Sequence, residues 1–176
     1  MEFDKSKTKD NLREAFERET GASAKYVFFA EQARADGYEQ IYNVFNVFAK
    51  NEQAHAKIWY KLFHAIGGTE QNLIDSAEIE NFEHSELYAG FAKTAEEEGF
   101  SDIATLFEGV ANVEKNHEKT FRTLYEKVKN NTFFEGKTET LYKCSNCGHQ
   151  LKAKSAPEKC PVCSHPQSFF INDSVE

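Results

Sequence analysis

The sequence predicts a mainly α-helical protein, in which a bundle of four long helices precedes a small C-terminal segment of different composition. Three features of the 176 residues predict this division. From about residue 9 to residue 129, Ala, Glu, Lys, Phe and Leu recur at helical spacing without a proline. Within this region, a stretch of sequence recurs 62 positions later. All three prolines and all four cysteines follow residue 132.

Glycines mark the expected helix ends. Gly37, Gly67-Gly68 and Gly99 can each adopt the positive φ that commonly ends a helix. We therefore expect helices over residues 9–36, 38–66, 76–99 and 101–130. Because the helical period stops after residue 130, we expect a helical domain over 1–134 and a small domain over 135–176, with frayed residues at 172–176.

An internal repeat indicates that one helical hairpin is used twice. Residues 29–57 align without a gap on residues 91–119, and Tyr26 likewise recurs as Tyr88. Such a repeat gives a bundle with internal pseudo-twofold symmetry. The recurring residues are Phe29, Ala30, Ala33, Gly37, Ile41, Phe45, Ala49, Glu52, His55 and Lys57, matched by Phe91, Ala92, Ala95, Gly99, Ile103, Phe107, Ala111, Glu114, His117 and Lys119.

Charge and hydropathy exclude two classes of partner. The formal net charge of -8 and the scattered lysines argue against nucleic acid binding. No apolar stretch approaches the roughly 20 residues of a membrane-spanning helix, and the charged N-terminus lacks the apolar core of a signal peptide. We therefore expect no membrane association and a cytoplasmic location.

Two Glu-x-x-His motifs occupy equivalent positions in the repeat. Glu52 and His55 form the first, and Glu114 and His117 form the second. Residues three apart on a helix lie on one face, so each motif offers a carboxylate and an imidazole to one ion. Together with glutamates from two other helices, such motifs can bridge and cap a pair of irons inside a bundle.

The other two helices contain candidate glutamates. On the first helix, Glu17 and Glu19 compete, and Glu19 is favoured because it lies seven residues before Tyr26 on the same stripe. On the third helix, Glu83 and Glu86 form an i, i+3 pair that could reach the metals together.

The repetition of the motifs is what favours metal ligation. A single Glu-x-x-His in so acidic a chain is usually a solvated helix face. Two equivalent copies among Ala and Phe favour ligands, because buried unpaired carboxylates are costly. His64 and His84 do not recur, and we interpret them as surface or packing residues. Tyr26 and Tyr88 are either core aromatics or donors to the ligand glutamates.

The cysteines predict a second metal site. Cys144 and Cys147 form one C-x-x-C turn, and Cys160 and Cys163 form another after twelve residues. Two such turns can deliver four thiolates tetrahedrally to one ion, and the spacing suits zinc as well as iron. Next to an iron-binding bundle, an Fe(Cys)4 centre could transfer single electrons, which structural zinc cannot do. The segment is too short for a core of its own, so its fold should depend on the metal.

The combined features resemble the rubrerythrin family over nearly the whole chain. Arg18 stands where the family commonly has a small residue, and Ser164 stands where rubredoxin-like sites usually have glycine, but neither departure removes a ligand. The matching segments are Ala15-Phe16-Glu17-Arg18-Glu19 with Tyr26, Asn51-Glu52-Gln53-Ala54-His55-Ala56-Lys57, Glu83-His84-Ser85-Glu86-Leu87-Tyr88, Glu97-Glu98-Gly99-Phe100, Glu114-Lys115-Asn116-His117-Glu118, Cys144-Ser145-Asn146-Cys147-Gly148 and Ala156-Pro157-Glu158-Lys159-Cys160-Pro161-Val162-Cys163.

The resemblance implies a ferritin-like four-helix bundle with a carboxylate-bridged di-iron site, followed by a rubredoxin-like domain with one Fe(Cys)4 iron, for which zinc can substitute in recombinant protein. The resemblance also implies that His55 exchanges with Glu86 at one iron between redox states. The implied activity is that of a peroxidase that reduces hydrogen peroxide, protects against oxidative stress and takes electrons from a rubredoxin or an NAD(P)H-dependent reductase. The implied di-iron ligands are Glu19, Glu52, Glu83, Glu86, Glu114 and His117.

Two other functions and one assembly also follow from the sequence. The alternatives are a ferroxidase that feeds an iron store and a non-enzymatic metal-binding module with a zinc-ribbon tail. We expect a homodimer, because equivalent hairpins form one bundle only if the second and third helices run nearly parallel. Residues 66–76, reaching at most roughly 33–36 Å, would then span a helix of roughly 38 Å. Exchange of helix pairs between subunits would relieve that tension.

Overall fold

The computed structural model describes residues 2–172 and confirms the mainly α-helical fold class. A π-helical turn at Glu83–Leu87 joins α3 to α4, and short 3-10 turns lie at Phe3–Lys5 and Gln167–Phe169. The predicted third helix is therefore α3, the π-helical turn and α4 together. The helices are α1 (Lys7–Ala35), α2 (Glu39–Phe63), α3 (Thr69–Phe82), α4 (Tyr88–Glu97) and α5 (Ser101–Lys129), and the strands are β1 (Glu135–Cys144), β2 (Gln150–Ser155) and β3 (Phe170–Asn172).

The first compact unit, Met1–Ile66, is an α-helical hairpin. Alanines are the buried side chains of α1 and α2, which lets the two helices approach closely. Tyr26 and Phe29 pack around Phe45, with ring centroids 5.9 and 5.8 Å away. The Ser23 hydroxyl donates to the carbonyl oxygen of Ala49 at 2.9 Å and ties the two helices together.

The second compact unit, Gly67–Glu176, begins with a hairpin of the same construction. Here α3, the π-helical turn and α4 pack against α5. Tyr88 and Phe91 pack around Phe107, with ring centroids 6.1 and 5.5 Å away. The turns also match, because Gly37 has φ +86° and Gly99 has φ +85°. The sequence repeat therefore corresponds to a structural repeat.

The third helix begins earlier than the sequence predicts. It starts at Thr69 rather than near residue 76, and α2 ends at Phe63 rather than near residue 66. Asn72 explains the early start, since its side chain accepts from the backbone N–H of Gly67 and donates to the Gly67 carbonyl, each at 3.0 Å. These two bonds close the connection, which is therefore only residues 64–68.

The small domain is a three-stranded antiparallel sheet with the strand order β2-β1-β3. Tyr142 in β1 is buried, pairs with Leu151 and Asn172, and donates its hydroxyl to the carbonyl oxygen of Phe134 at 3.0 Å. Two of the five residues of its buried core are cysteines, so little apolar material supports the fold. That core consists of Tyr142, Cys144, Ala156, Cys160 and Phe170.

Two further sequence expectations concern the chain ends and membranes. Of the segment 172–176 expected to be frayed, Asn172 closes β3, and residues 173–176 lie outside the described part of the chain. Within residues 2–172, none of the helices combines the length and apolar composition that are needed to cross a membrane.

Candidate metal centres

The first hairpin gathers two carboxyls and one imidazole. Glu19 from α1 lies with Glu52 and His55 from α2, and ligand atoms of all three lie within 4.8 Å of one another. The His55 Nδ1 atom is 3.1 Å from a Glu52 oxygen and 3.9 Å from a Glu19 oxygen. Glu17, the alternative on α1, is exposed. The geometry thus favours Glu19 over Glu17 as the ligand from the first helix.

The second hairpin repeats this arrangement with a residue that the sequence interpretation missed. Glu80 from α3 lies with Glu114 and His117 from α5, again with ligand atoms within 4.8 Å of one another. The His117 Nδ1 atom is 2.6 Å from a Glu114 oxygen and 3.8 Å from a Glu80 oxygen. Each hairpin therefore presents one half-site made of two glutamates and a histidine.

The π-helical turn explains why Glu80 was missed. A π-helical turn accommodates one extra residue in a helix. Glu19 precedes Tyr26 by seven positions, whereas Glu80 precedes Tyr88 by eight. The gapless repeat therefore aligns Glu19 with Asn81, one residue away from its structural equivalent. In the sequence, the second hairpin has one inserted residue between Glu80 and Tyr88. Helical periodicity alone does not reveal such an insertion.

The two predicted glutamates of the third helix lie outside that half-site. Glu83 is partly buried, and its charge helps to raise the pKa of Glu80. Glu86 is exposed, at the far end of the π-helical turn. Of the two, Glu83 is therefore the better placed to add a carboxylate to this half-site.

The carboxyls of each half-site interact with each other, and the resulting pKa shifts have opposite directions in the two hairpins. Burial raises the pKa of Glu80, and the hydrogen bond to Glu114 and the Glu114 charge raise it further. In the first hairpin, the Glu52 pKa is lowered by hydrogen bonds from Glu19 and then His55. Neighbouring carboxyls behave this way when they share a proton. A divalent cation can replace that proton, so the donor sets fit hard metal ions such as iron.

Both half-sites lie within apolar stripes. Ile41 and Phe48 precede Glu52 on one face of α2 and are 46% and 49% exposed in the chain. Ile103 and Val110, their repeat equivalents on α5, are 46% and 37% exposed. The helix faces that carry the two Glu-x-x-His motifs therefore also expose aliphatic and aromatic side chains.

The four cysteines converge as the C-x-x-C spacing predicts. The Sγ atoms of Cys144 and Cys163 are 3.7 Å apart, and those of Cys147 and Cys160 are 3.6 Å apart. Thiolates about 2.3 Å from a tetrahedrally bound ion would lie roughly 3.8 Å from one another. The cysteine positions therefore fit one tetrahedral metal ion.

Backbone N–H groups and the neighbouring thiols control the ionisation of these cysteines. The backbone N–H of His165 lowers the pKa of Cys163 to about 5. The backbone N–H of His149 acts in the same direction on Cys147, but burial and the other three thiols raise its pKa to about 12. The Cys163 thiolate thus forms readily, whereas ionisation of Cys147 is disfavoured unless a cation balances its charge.

The two cysteine turns have the same backbone but different residues at one position. The N–H groups of Gly148 and Ser164 donate to the carbonyl oxygens of Cys144 and Cys160. Both residues have a positive φ, +75° at Gly148 and +60° at Ser164. A residue other than glycine is strained in this region, so Ser164 stores strain in the second turn.

Comparison with known proteins identifies the family. The rubrerythrin family model matches residues 10–125, and the model of the rubrerythrin rubredoxin-like domain matches residues 142–171. The chain belongs to the rubrerythrin family. Members of this family are oxidoreductases of the peroxidase type. Members of the family bind iron, with the glutamate and histidine groups indicating a di-iron site and the four cysteines indicating an Fe(Cys)4 site.

Several relatives match nearly the whole chain. Rubrerythrin-1 of Clostridium acetobutylicum is 39% identical over 94% of this chain and 93% of that protein. The rubrerythrin of Porphyromonas gingivalis is 40% identical over 94% of this chain and 89% of that protein. That of Nitratidesulfovibrio vulgaris is 36% identical over 94% of this chain and 93% of that protein.

Replacement of Ser164 tests the strain in the second cysteine turn. We expect Ser164→Gly to stabilise the small domain by about 1 kcal/mol, because glycine adopts this φ without steric cost. Gly148→Ser, the reverse change in the first turn, should destabilise it by a similar amount. The midpoint of loss of the ferric-thiolate colour in guanidinium chloride measures both effects. Equal midpoints for the two variants would contradict the assignment of strain.

Matched glutamine variants test the ligand assignment. Glu80→Gln should weaken iron binding by the bundle by more than about tenfold, because losing even a hydrogen-bond partner of a ligand costs that much. Glu17→Gln, on an exposed position of α1, is the control and should bind iron normally. Iron per chain after ferrous loading and desalting measures the effect, with the thiolate colour as internal standard. Full iron occupancy in Glu80→Gln would contradict the assignment.

Proposed function

We propose that this member of the rubrerythrin family reduces hydrogen peroxide to water at its di-iron site. Electrons reach that site through the Fe(Cys)4 centre, from an NAD(P)H-dependent reductase or a rubredoxin. The observation that carries the proposal is the presence, in one chain, of two glutamate–histidine half-sites and a four-thiolate centre. A ferroxidase needs no such centre, because it removes electrons from iron and passes none back to the bundle.

The overall reaction consumes two electrons and two protons for each hydrogen peroxide and yields two water molecules. A bound pair of ferrous ions would supply both electrons for this reduction. The chain itself contributes Glu19, Glu52, Glu80 and Glu114 as anionic ligands that balance the metal charge, with His55 and His117 as neutral ones. Tyr26 and Tyr88, which pack beside the ligand-bearing helices, would donate their hydroxyls to ligand glutamates and hold them in orientation.

One ligand would exchange between the two oxidation states. The His55 side chain is 51% exposed in its hairpin, so little packing prevents its movement. A carboxylate from the π-helical turn would take its place, because anionic oxygen suits ferric iron and imidazole suits ferrous iron. Sequence resemblance assigned this exchange to Glu86. We assign it to Glu83 instead, because the charge of Glu83 acts on Glu80 and helps to raise its pKa.

The small domain would serve as the entry point for electrons. Cys144 and Cys160 are buried, whereas Cys147 is exposed and its side chain offers a short route from a docked donor to the thiolate-bound metal. Val162, 66% exposed between the two cysteines of the second turn, adds apolar surface that a donor could cover. A centre of four reduced thiols suits a reducing compartment, and we propose the cytoplasm.

The assembly that we propose is a homodimer with exchanged helix pairs. The connection from Phe63 to Thr69 reaches roughly 20 Å when extended. A bundle in which α2 and α3 run parallel needs a return along α2, which is roughly 38 Å long. Because the connection is shorter than the sequence predicted, the case for exchange is stronger. The first hairpin of one chain would then cover the second hairpin of its partner.

Rapid mixing tests the proposed activity. We expect fully reduced, iron-loaded protein mixed anaerobically with hydrogen peroxide to consume the peroxide stoichiometrically and then to develop the ferric-thiolate colour, as the small domain re-reduces the bundle. Cys160→Ser, which removes a buried thiolate, should still consume the first equivalent of peroxide but show no colour. Loss of peroxide without colour in the unaltered protein would favour a ferroxidase.

Mixed variants test the exchange of helix pairs. Glu52→Gln inactivates the first hairpin, and Glu114→Gln inactivates the second. If the hairpins are exchanged, co-refolding equal amounts of the two variants restores one intact site in each mixed dimer, or about a quarter of the wild-type sites. Iron content and peroxide consumption measure the recovery. A monomer in solution, or a dimer without recovery, would contradict the exchange.

A further inference from the structure

The Glu118 carboxylate on α5 accepts hydrogen bonds from residues on both sides of Glu83, which begins the π-helical turn. The Glu118 side chain accepts from His84 Nε2 at 2.8 Å and from the Asn81 amide at 3.3 Å. It also accepts from Arg122, one turn further along α5, at 2.7 Å. The His84 and Glu118 side chains are only 17% and 15% exposed. The sequence analysis interprets His84 as a surface or packing residue, whereas the structure places it in a partly buried hydrogen bond with Glu118.

We propose that the His84–Glu118 hydrogen bond is a positioning device, which holds the π-helical turn Glu83–Leu87 and thereby fixes how Glu80 and Glu83 are presented to the metal site. His84 is not assigned as a metal ligand. It acts through the backbone of the turn in which it lies. The inference rests on the di-iron site but is independent of the proposed peroxidase activity.

The π-helical turn needs such a device because it competes with an ordinary α-helix. Its backbone is wide, with the N–H of Tyr88 donating to the carbonyl oxygen of Glu83 five residues earlier. π-Helical geometry is rare and occurs mostly as single turns at functional sites. If the turn relaxed by one residue to α-helix, the chain on one side would rotate by roughly 100° relative to the other. Either Glu80 or the Tyr88 face would then leave its packing position.

The first hairpin shows that the contact accompanies the inserted residue. That hairpin has no π-helical turn, and α1 is continuous from Lys7 to Ala35. The positions equivalent to His84 and Glu118 are occupied there by Ala22, or Ser23 if the insertion is counted, and by Ala56. The donor and the acceptor are therefore both present where the turn exists and both missing where the helix is regular.

Three donors converge on the Glu118 carboxylate, which makes the contact directional. Besides His84, the Asn81 amide and the Arg122 guanidinium donate to it. A carboxylate accepts, so His84 Nε2 is the donor in this contact. A hydrogen bond to a charged acceptor is roughly twice as strong as a neutral one. Ser85 supports the same turn, because its hydroxyl donates to the Asn81 carbonyl oxygen at 2.7 Å.

Hydrogen exchange on the metal-free full chain tests the proposal. His84→Phe keeps a ring but removes the donor, and the amides of residues 83–88 should then exchange roughly tenfold faster or more. His84→Gln restores a donor and should recover most of the protection. Arg122→Gln is the matched control, because it removes another Glu118 partner that does not touch the π-helical turn. Its amides at residues 83–88 should exchange within about twofold of the wild-type rate.

Iron loading supplies the second readout. His84→Phe should lose iron from the bundle while it retains the colour of the thiolate centre, and His84→Gln should regain the lost iron. Wild-type exchange rates at residues 83–88 together with full iron content in His84→Phe would overturn the proposal. If that variant does not fold, Glu118→Gln decides instead. Its neutral acceptor should accelerate exchange at the same amides by a smaller factor, and an unchanged rate would overturn the proposal.

Discussion

Acidic side chains that lie close together on helices with exposed apolar residues dominate the energetics of both hairpins. Each hairpin brings two glutamates and a histidine together among exposed aliphatic and aromatic side chains. In the second hairpin, burial and then Glu114 raise the pKa of Glu80, so its charged form is disfavoured without a cation. A divalent cation bound between the carboxyls offsets that cost, so metal binding stabilises the folded hairpin.

The π-helical turn makes two otherwise equivalent half-sites different. Both hairpins share their glycine turns, their aromatic triplets and their Glu-x-x-His motifs. The extra residue in the second hairpin adds Glu83 beside Glu80 and leaves the first hairpin without a counterpart. The second hairpin therefore has one more carboxyl near its glutamate–histidine group than the first hairpin has.

Helical periodicity and the internal repeat predict part of the site from the sequence. Glu52, His55, Glu114 and His117 occur at fixed helical spacing, and the cysteine turns carry their own local geometry, so the structure brings each group together. Glu80 was missed because one inserted residue shifts the repeat without altering the amphipathic pattern on either side. The early start of α3 was missed because it depends on the Asn72 side chain, which closes the connection at Gly67. Both misses concern backbone geometry that individual side chains decide.

One chain is expected to bind two kinds of iron, a pair held by glutamates and histidines and a single ion held by four cysteines. Mössbauer spectroscopy of protein loaded with 57Fe, reduced and then mixed with one equivalent of hydrogen peroxide per chain, distinguishes the two kinds. We expect two oxygen- and nitrogen-ligated ferrous irons for each sulfur-ligated one, with conversion of the pair to a magnetically coupled diferric form. A single class of bundle iron that stays ferrous, or isolated ferric ions without coupling, would contradict this expectation.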